Sequence, residues 1–140
     1  MKEIPGAFSY ELLGTLHAVE ARFESVLEPL GLSLAKFGVL SKLAASGEPL
    51  PLRTLAERCA CVRSNITQLV DRLEVEKLVV RSDDPRDRRS VLAELTAEGR
   101  SRQAAGLRAL EEAERELVSR LPRKERASLL QLLQSLRAEA

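Results

Sequence analysis

The sequence predicts a mainly α-helical protein with one small β-hairpin, and three observations support this. Leucine, alanine, glutamate and arginine dominate the 140 residues, a composition that favours helices. Apolar side chains recur at steps of three and four over several stretches, which is the spacing of one helix face. Two short β-branched segments, at 78–82 and 90–95, flank a charged loop and predict the hairpin. A chain of this length favours one domain, over residues 1–140.

Composition and charge narrow the class of protein. Hydrophobic residues make up 44% of the chain, enough for a core, but no apolar run approaches the roughly 20 residues of a membrane span. Residues 1–14 lack a continuous apolar segment, so we expect no signal peptide and a reducing, cytoplasmic environment. The formal net charge is only +1. Any binding of nucleic acid must therefore depend on the local placement of charge.

The N-terminal third predicts two helices. Residues 8–30 carry apolar side chains at alternating steps of four and three, until Pro29 and Gly31 end the pattern. Ser33 is placed to cap the next helix, and Ser46–Gly47 ends it.

The C-terminal part predicts two further helices. Thr96 is placed to cap a long helix over about 97–119. Leu121–Pro122 breaks this helix, and a last helix follows over about 123–138.

Two short helices lie between these outer segments, over about 52–76. Pro51 suits the first turn of the first helix, and Ala60–Cys61 predicts a tight turn after it. The second helix, about 63–76, has an apolar stripe for the core and a polar stripe on the opposite face. The polar stripe consists of Ser64, Thr67, Gln68 and Asp71.

Two short helices, a tight turn and a following hairpin form a winged helix-turn-helix. In this module the second helix enters the DNA major groove, where small hydrogen-bonding side chains can distinguish base edges. A polar helix face is more often only a solvated surface, so this interpretation depends on the neighbouring turn and hairpin. The residues predicted to contact bases are Ser64, Asn65, Thr67 and Gln68. Those predicted to contact phosphates are Arg53, Arg63 and Arg72.

The stretch from 52 to 100 resembles the DNA-binding core of the MarR (multiple antibiotic resistance regulator) family. Its most specific pieces are LVDRLE at 69–74, LVVR at 78–81, DPRDRR at 84–89 and LTAEG at 95–99, in this order and spacing. GLSLAKFGVLSKL, at 31–43, also resembles the second helix of that family. The outer helices match in length and pattern, so the resemblance covers nearly the whole chain.

The resemblance implies a bacterial, homodimeric transcription factor, often a repressor, on a pseudo-palindromic operator of double-stranded DNA. It assigns 33–95 to the winged core, and 8–30 and 97–138 to dimerisation helices. Their apolar stripes are more than one small domain can easily bury alone. A small-molecule effector, phenolic or otherwise aromatic or lipophilic, would bind in a crevice between the dimer helices and the DNA-binding lobe and release the DNA. No cofactor is implied.

The resemblance also assigns the wing to 78–95 and an arginine at its tip to the minor groove. By motif position this role falls to Arg89, with Arg86 and Arg88 beside it. Asp87 is expected to orient the tip arginine through a charge-assisted hydrogen bond. Three aspartates balance three arginines over 83–89, so bulk attraction does not explain this loop.

Two positions depart from the family pattern. Val62 cannot cap the recognition helix, which favours Ser64 as the cap and a slightly later helix start. Lys77 stands where the family commonly has glycine, and it would cost about 1 kcal/mol if its φ is positive.

The cysteines leave a second function open. Cys59 and Cys61 occupy apolar slots, which favours their being small core residues, but a thiol-based redox regulator is the alternative. A metal site lacks partners, because His17 is the only histidine. An alternative of another class is a helical interaction module that does not bind DNA, although such a module would not need the wing arginines. No catalytic motif is present, so we predict no enzyme activity.

Overall fold

A computed structural model describes residues 6–60 and 63–138, apart from the side chains of Arg63 and Ser64. Within these ranges the chain forms six α-helices and three short strands. The elements are α1 (Ala7–Leu27), α2 (Leu34–Ser46), β1 (Leu50–Pro51), α3 (Leu52–Arg58), α4 (Arg63–Val75), β2 (Val79–Asp84), β3 (Asp87–Leu95), α5 (Ala97–Ser119) and α6 (Arg123–Arg137). The predicted fold class, mainly α with a small β-wing, is confirmed.

The predicted caps of α2 and α5 are confirmed. Ser33 Oγ accepts a hydrogen bond from the Lys36 N–H at 3.1 Å, and Gly47 ends α2 with a φ of 70°. Thr96 Oγ1 accepts a hydrogen bond from the Gly99 N–H at 2.9 Å. These helix boundaries therefore follow from local sequence.

The first predicted helix is divided near its end. The α-helix stops at Leu27, and a 3-10 turn over Glu28–Leu30 carries the chain to Gly31, whose φ is 70°. The physical reason is Pro29, which has no N–H to donate to the preceding turn of an α-helix.

The core lies between α2, α3, α4 and the sheet. Its side of α4 is the predicted apolar stripe, since Ile66, Val70 and Leu73 are fully buried. Leu40 of α2 and Leu55 of α3 pack into the same cluster. Because this stripe fixes the rotation of α4 about its axis, the opposite face of the helix must point to solvent.

The sheet contains a strand that the sequence did not predict. β1 pairs antiparallel with β3, Leu50 opposite Ala93 and Pro51 opposite Leu92, and β3 pairs with β2. The strand order is β1-β3-β2, which leaves β2 at an edge. Two residues, one of them proline, carry no alternating pattern, so only pairing with β3 makes β1 a strand.

α5 begins directly against the start of the wing. The Thr96 N–H donates to Leu78 O at 3.1 Å, and Thr96 Oγ1 donates to Lys77 O at 2.7 Å. A Cβ at Gly99 would lie 2.0 Å from Leu78 O, so only glycine allows this approach. Lys77 has a φ of 63°, so the condition for its strain is met.

The outer helices keep apolar side chains exposed. α6 buries none of its own residues in the protomer. The exposed leucines are Leu12, Leu13 and Leu16 on α1, Leu107 on α5, and Leu129, Leu130, Leu132, Leu133 and Leu136 on α6. In the described part of the chain, no helix combines the length and the apolar character of a membrane span.

Candidate nucleic-acid interface

The solvent face of α4 carries polar side chains of the kind that read bases. Asn65, Gln68 and Arg72 are all exposed, and their spacing of three and four places them on one face. Together with Ala35 of α2 they line an open groove of about 260 Å³. The structure therefore brings two of the predicted base-contacting residues and one predicted phosphate contact together.

This face is turned by about one residue from the predicted polar stripe. Thr67 and Asp71 are half-buried, whereas Asn65 and Arg72 are exposed. The helix already includes Ser64, so the later start that a Ser64 cap would require is wrong.

The structure describes the remaining predicted residues only in part. The side chains of Arg63 and Ser64 lie outside the described part of the structure, and Cys61 and Val62 lie outside it entirely. Arg53 is exposed near the start of α3.

The tip of the wing is irregular on one strand only. Asp84 and Asp87 face each other across the turn, and the next pair is Asp83 with Val91. One step along β2 therefore corresponds to four along β3, which makes residues 88–90 a bulge. A bulge bends its strand and takes backbone groups out of the ladder.

The tip aspartates bond to the backbone of this bulged loop. Asp84 Oδ1 accepts from the main-chain N–H of Arg86, and Asp87 Oδ1 accepts from that of Arg89, both at 2.9 Å. Each bond spans two residues, which is the geometry of an Asx-turn. The sequence predicts that Asp87 bonds to a guanidinium group, but its carboxylate bonds to a main-chain N–H instead. Asp87 thus shapes the loop that carries Arg89 and does not aim its side chain.

The aspartates bond to main-chain groups and therefore do not hold the guanidinium groups of the three tip arginines. Arg86, Arg88 and Arg89 are exposed, and none of the ion pairs found among the described residues includes them. Although the net charge of the loop is zero, its guanidinium groups can therefore pair with an anion from outside the loop.

Ion pairs join the base of the wing to the end of α4. Arg81 Nη1 lies 2.6 Å from Asp71 Oδ1, and Arg81 Nη2 lies 3.1 Å from Glu74 Oε1. The Arg81 main-chain N–H also donates to Glu74 Oε2 at 3.0 Å. The side-chain hydrogen bond with Arg81 lowers the pKa of Glu74, and the same bond raises the pKa of Arg81. Sequence reasoning missed this contact, because only the placement of β2 beside α4 brings these charges together.

Cys59 is half-buried at the end of α3 and packs against the core. This position agrees with the interpretation of Cys59 as a small core residue. Among the described residues, no three His, Cys, Asp or Glu side chains gather as a metal site would require.

Comparison with known proteins finds similarity to one family of transcriptional regulators. The MarR family model matches residues 30–90, which run from just before α2 through the wing tip. A MarR-family transcriptional regulator from Rhodococcus sp. RHA1 superposes with a TM-score of 0.82 at 26% identity, over 97% of this chain and 96% of that one. Over residues 30–90 the chain is similar to the MarR family.

One curated relative is similar to this chain over about half of its length. The HTH-type transcriptional regulator YkoM of Bacillus subtilis is 39% identical over 69 residues, which cover 49% of this chain and 44% of YkoM. The chain thus aligns with about half the length of the curated relatives that it matches.

Two structures of the repressor CouR resemble the chain over its full length. CouR bound to a 23-mer DNA duplex has a TM-score of 0.85 at 29% identity and covers 99% of this chain and 100% of that one. CouR from Rhodococcus jostii RHA1 bound to p-coumaroyl-CoA has a TM-score of 0.80 at 26% identity and covers 100% and 99%.

Proposed function

We propose that the chain is a homodimeric transcription regulator, acting as a repressor in the bacterial cytoplasm. It places α4 in the major groove and the wing tip in the minor groove of a pseudo-palindromic operator. The observation that carries this proposal is the wing tip, where three exposed arginines form no ion pair with any described residue and two aspartates hold the backbone of the loop. The binding of CouR to a DNA duplex, on a similar fold, supports it.

In the major groove, Asn65 and Gln68 carry the chemistry for base recognition. Both amides can offer a donor and an acceptor to adenine at once. Arg72, on the same face, suits a phosphate. Arg53 is a further proposed phosphate contact.

In the minor groove, Arg89 is the proposed reader, with Arg86 and Arg88 on the flanking phosphates. A narrow A·T-rich groove concentrates negative potential, and a guanidinium group there senses groove width more than base identity. The Asx-turn at Asp87 supports this role, because it fixes the backbone from which Arg89 extends.

The second protomer would cover the exposed apolar faces of α1, α5 and α6. Leu130, Leu132 and Leu136 are each more than half exposed on a helix that buries no residue in the protomer. Fully burying one leucine contributes about 1.5–3 kcal/mol, so covering these side chains would favour the association of two protomers. Two recognition helices then meet half-sites about one helical turn apart.

The outer helices also line a groove suited to an effector, which lies among these helices and not in the crevice beside the DNA-binding lobe that the resemblance implies. Leu130 lines this groove and also belongs to the face that the second protomer would cover, so an effector there would lie against the dimer interface. The groove measures about 720 Å³, and its lining includes Phe23 of α1, Leu117 of α5 and Leu129 of α6. Such a volume and apolar lining suit a phenolic or other aromatic or lipophilic molecule. CouR, with its similar fold, binds p-coumaroyl-CoA. We propose that an effector there changes the spacing of the two recognition helices and releases the DNA.

Selection of bound duplexes from a random-sequence pool tests the DNA-binding proposal. The purified protein should enrich an inverted repeat, and the same repeat should occur beside its own gene. An absence of any enriched sequence refutes the proposal and favours an interaction module that does not bind DNA.

Arg89→Ala tests the assignment of the minor groove. On the selected operator we expect weaker binding and a salt dependence of log K that is shallower by about one unit. Arg115→Ala is the matched control, since it removes the same charge about 24 Å along α5 from Gly99. If the two variants bind alike, Arg89 does not enter the groove.

A further inference from the structure

The contacts of Arg81 with Asp71 and Glu74 form a clamp between the wing and the recognition helix, hereafter the wing clamp. It holds β2 by both its main chain and a side chain, because Glu74 accepts hydrogen bonds from the main-chain N–H and from the guanidinium group of Arg81. β2 is an edge strand of the sheet and pairs only with β3. The clamp thus ties the outer strand of the hairpin to α4, in addition to the ladder with β3.

We propose that Arg81 is a positioning residue that sets operator specificity by fixing the wing relative to α4. The inference rests on the proposed binding of DNA. A specific complex must place α4 in one groove and the wing tip in the next, so the distance between them must match the DNA. Binding to random DNA needs only attraction to phosphates and tolerates a loose wing.

Arg81 is poorly suited to bind phosphate itself. Both of its terminal nitrogens already face carboxylates, at 2.6 and 3.1 Å, and its side chain is only 33% exposed. A phosphate would have to displace these partners. The raised pKa of Arg81 and the lowered pKa of Glu74 agree with a pair that stays charged and engaged.

The wing clamp also explains why carboxylates occur on a helix that faces DNA. Asp71 and Glu74 flank Arg72, and each adds a negative charge that phosphates repel. On electrostatic grounds alone, neutralising either carboxylate should strengthen binding to every duplex. If the clamp sets specificity, neutralising a carboxylate should weaken binding to the operator while it strengthens binding to random DNA.

Glu74→Gln tests this opposition of sign. Binding is measured for the selected operator and for a random-sequence duplex of equal length. We expect binding to random DNA to strengthen by about 1.7-fold and operator binding to weaken by about threefold, so that the ratio of the two affinities falls by about fivefold. A merely structural role would weaken both together, and an increase of both would likewise overturn the proposal.

Glu94→Gln is the matched control. Glu94 lies on β3, is exposed, and makes no ion pair with any described residue. Its neutralisation removes the same charge from the same wing and leaves the clamp intact. The affinity ratio should therefore stay at the wild-type value, whereas a fall equal to that of Glu74→Gln would refute the clamp.

Arg81→Gln separates positioning from phosphate contact. We expect a lower affinity ratio with an unchanged salt slope, because no phosphate contact is lost. A slope shallower by about one unit would instead make Arg81 a phosphate ligand and overturn the inference. If the wild-type protein prefers no duplex, both the proposed function and the role of the wing clamp are refuted. If the wild type prefers the operator and the affinity ratio is unchanged in Arg81→Gln and Glu74→Gln, only the role of the clamp is refuted.

Discussion

Gly99→Ala should strongly destabilise the protein although alanine is the better helix former. A Cβ at this position would lie 2.0 Å from Leu78 O and 3.2 Å from Leu95 Cδ2. The backbone must therefore separate by about 1 Å before the oxygen reaches a tolerable distance of 3.0 Å. Leu78 is fully buried and Leu95 nearly so, which leaves little room for that movement.

The magnitude follows from three contributions. Overpacking of a filled site costs about 1–3 kcal/mol, and we expect the upper part of that range because the clash is with backbone. Movement of Leu78 also weakens the hydrogen bond that its carbonyl accepts from Thr96, a loss of about 1 kcal/mol. The gain in helix propensity returns about 1 kcal/mol. The net expectation is a loss of about 2–3 kcal/mol.

Urea denaturation followed by circular dichroism, at equal protein concentration, measures this loss. Gly38→Ala is the matched control: Gly38 lies within α2, and an added Cβ there meets no atom within 4 Å. That variant should be more stable than wild type by up to about 1 kcal/mol. If Gly99→Ala is as stable as Gly38→Ala, the close approach of α5 to the wing is not as the structure has it.

Three further perturbations test other features. Lys77→Gly should raise the free energy of unfolding by about 1 kcal/mol, because glycine adopts the positive φ of 63° without strain. Thr96→Val should lower it by about 2 kcal/mol in the same urea assay, since two hydrogen bonds of the hydroxyl are lost. Because its bond with Arg81 lowers the pKa of Glu74 in the folded protein, the ionised carboxylate stabilises the fold above pH 4.5, and this contribution is lost as the pH falls through the lowered pKa. The stability difference between wild type and Glu74→Gln should therefore vanish in acid, and a difference that persists would contradict the ion pair.

The proposed dimer is tested by Leu132→Glu. Leu132 is 63% exposed in the protomer, so the substitution should leave the protomer folded but separate the subunits in sedimentation equilibrium. Gln134→Glu adds the same charge about 200° around α6 and should leave the dimer intact. If both variants sediment as dimers, α6 does not form the interface.

Features of the fold that local chemistry determines were predictable from the sequence. Ser33 and Thr96 cap their helices because a side-chain oxygen can reach an N–H three residues on. The buried stripe of α4 follows from apolar spacing, as Ile66, Val70 and Leu73 show. The exposure of Asn65 and Gln68 follows in turn from that stripe.

Features that depend on how elements meet were not predictable. Asp71 lies ten residues before Arg81 in sequence, and their ion pair exists only because β2 runs beside α4. The register shift between Asp83 and Asp84, which makes residues 88–90 a bulge, is likewise signalled by no residue pattern. The predicted polar stripe of α4 differs from the exposed face by about one residue, because sequence periodicity does not say which polar positions are half-buried at the edge of a core.

The contact of Gly99 with Leu78 gives α5 the geometry of a lever. The helix runs 20 residues from that contact to Ser119, about 30 Å, with its first turn pressed against the wing. Moving its far end sideways by about 5 Å tilts the helix by about 10° at the contact. A movement of several ångströms among the outer helices thereby becomes a small rotation beside the wing. A rotation of this size can adjust how the wing fits a DNA groove.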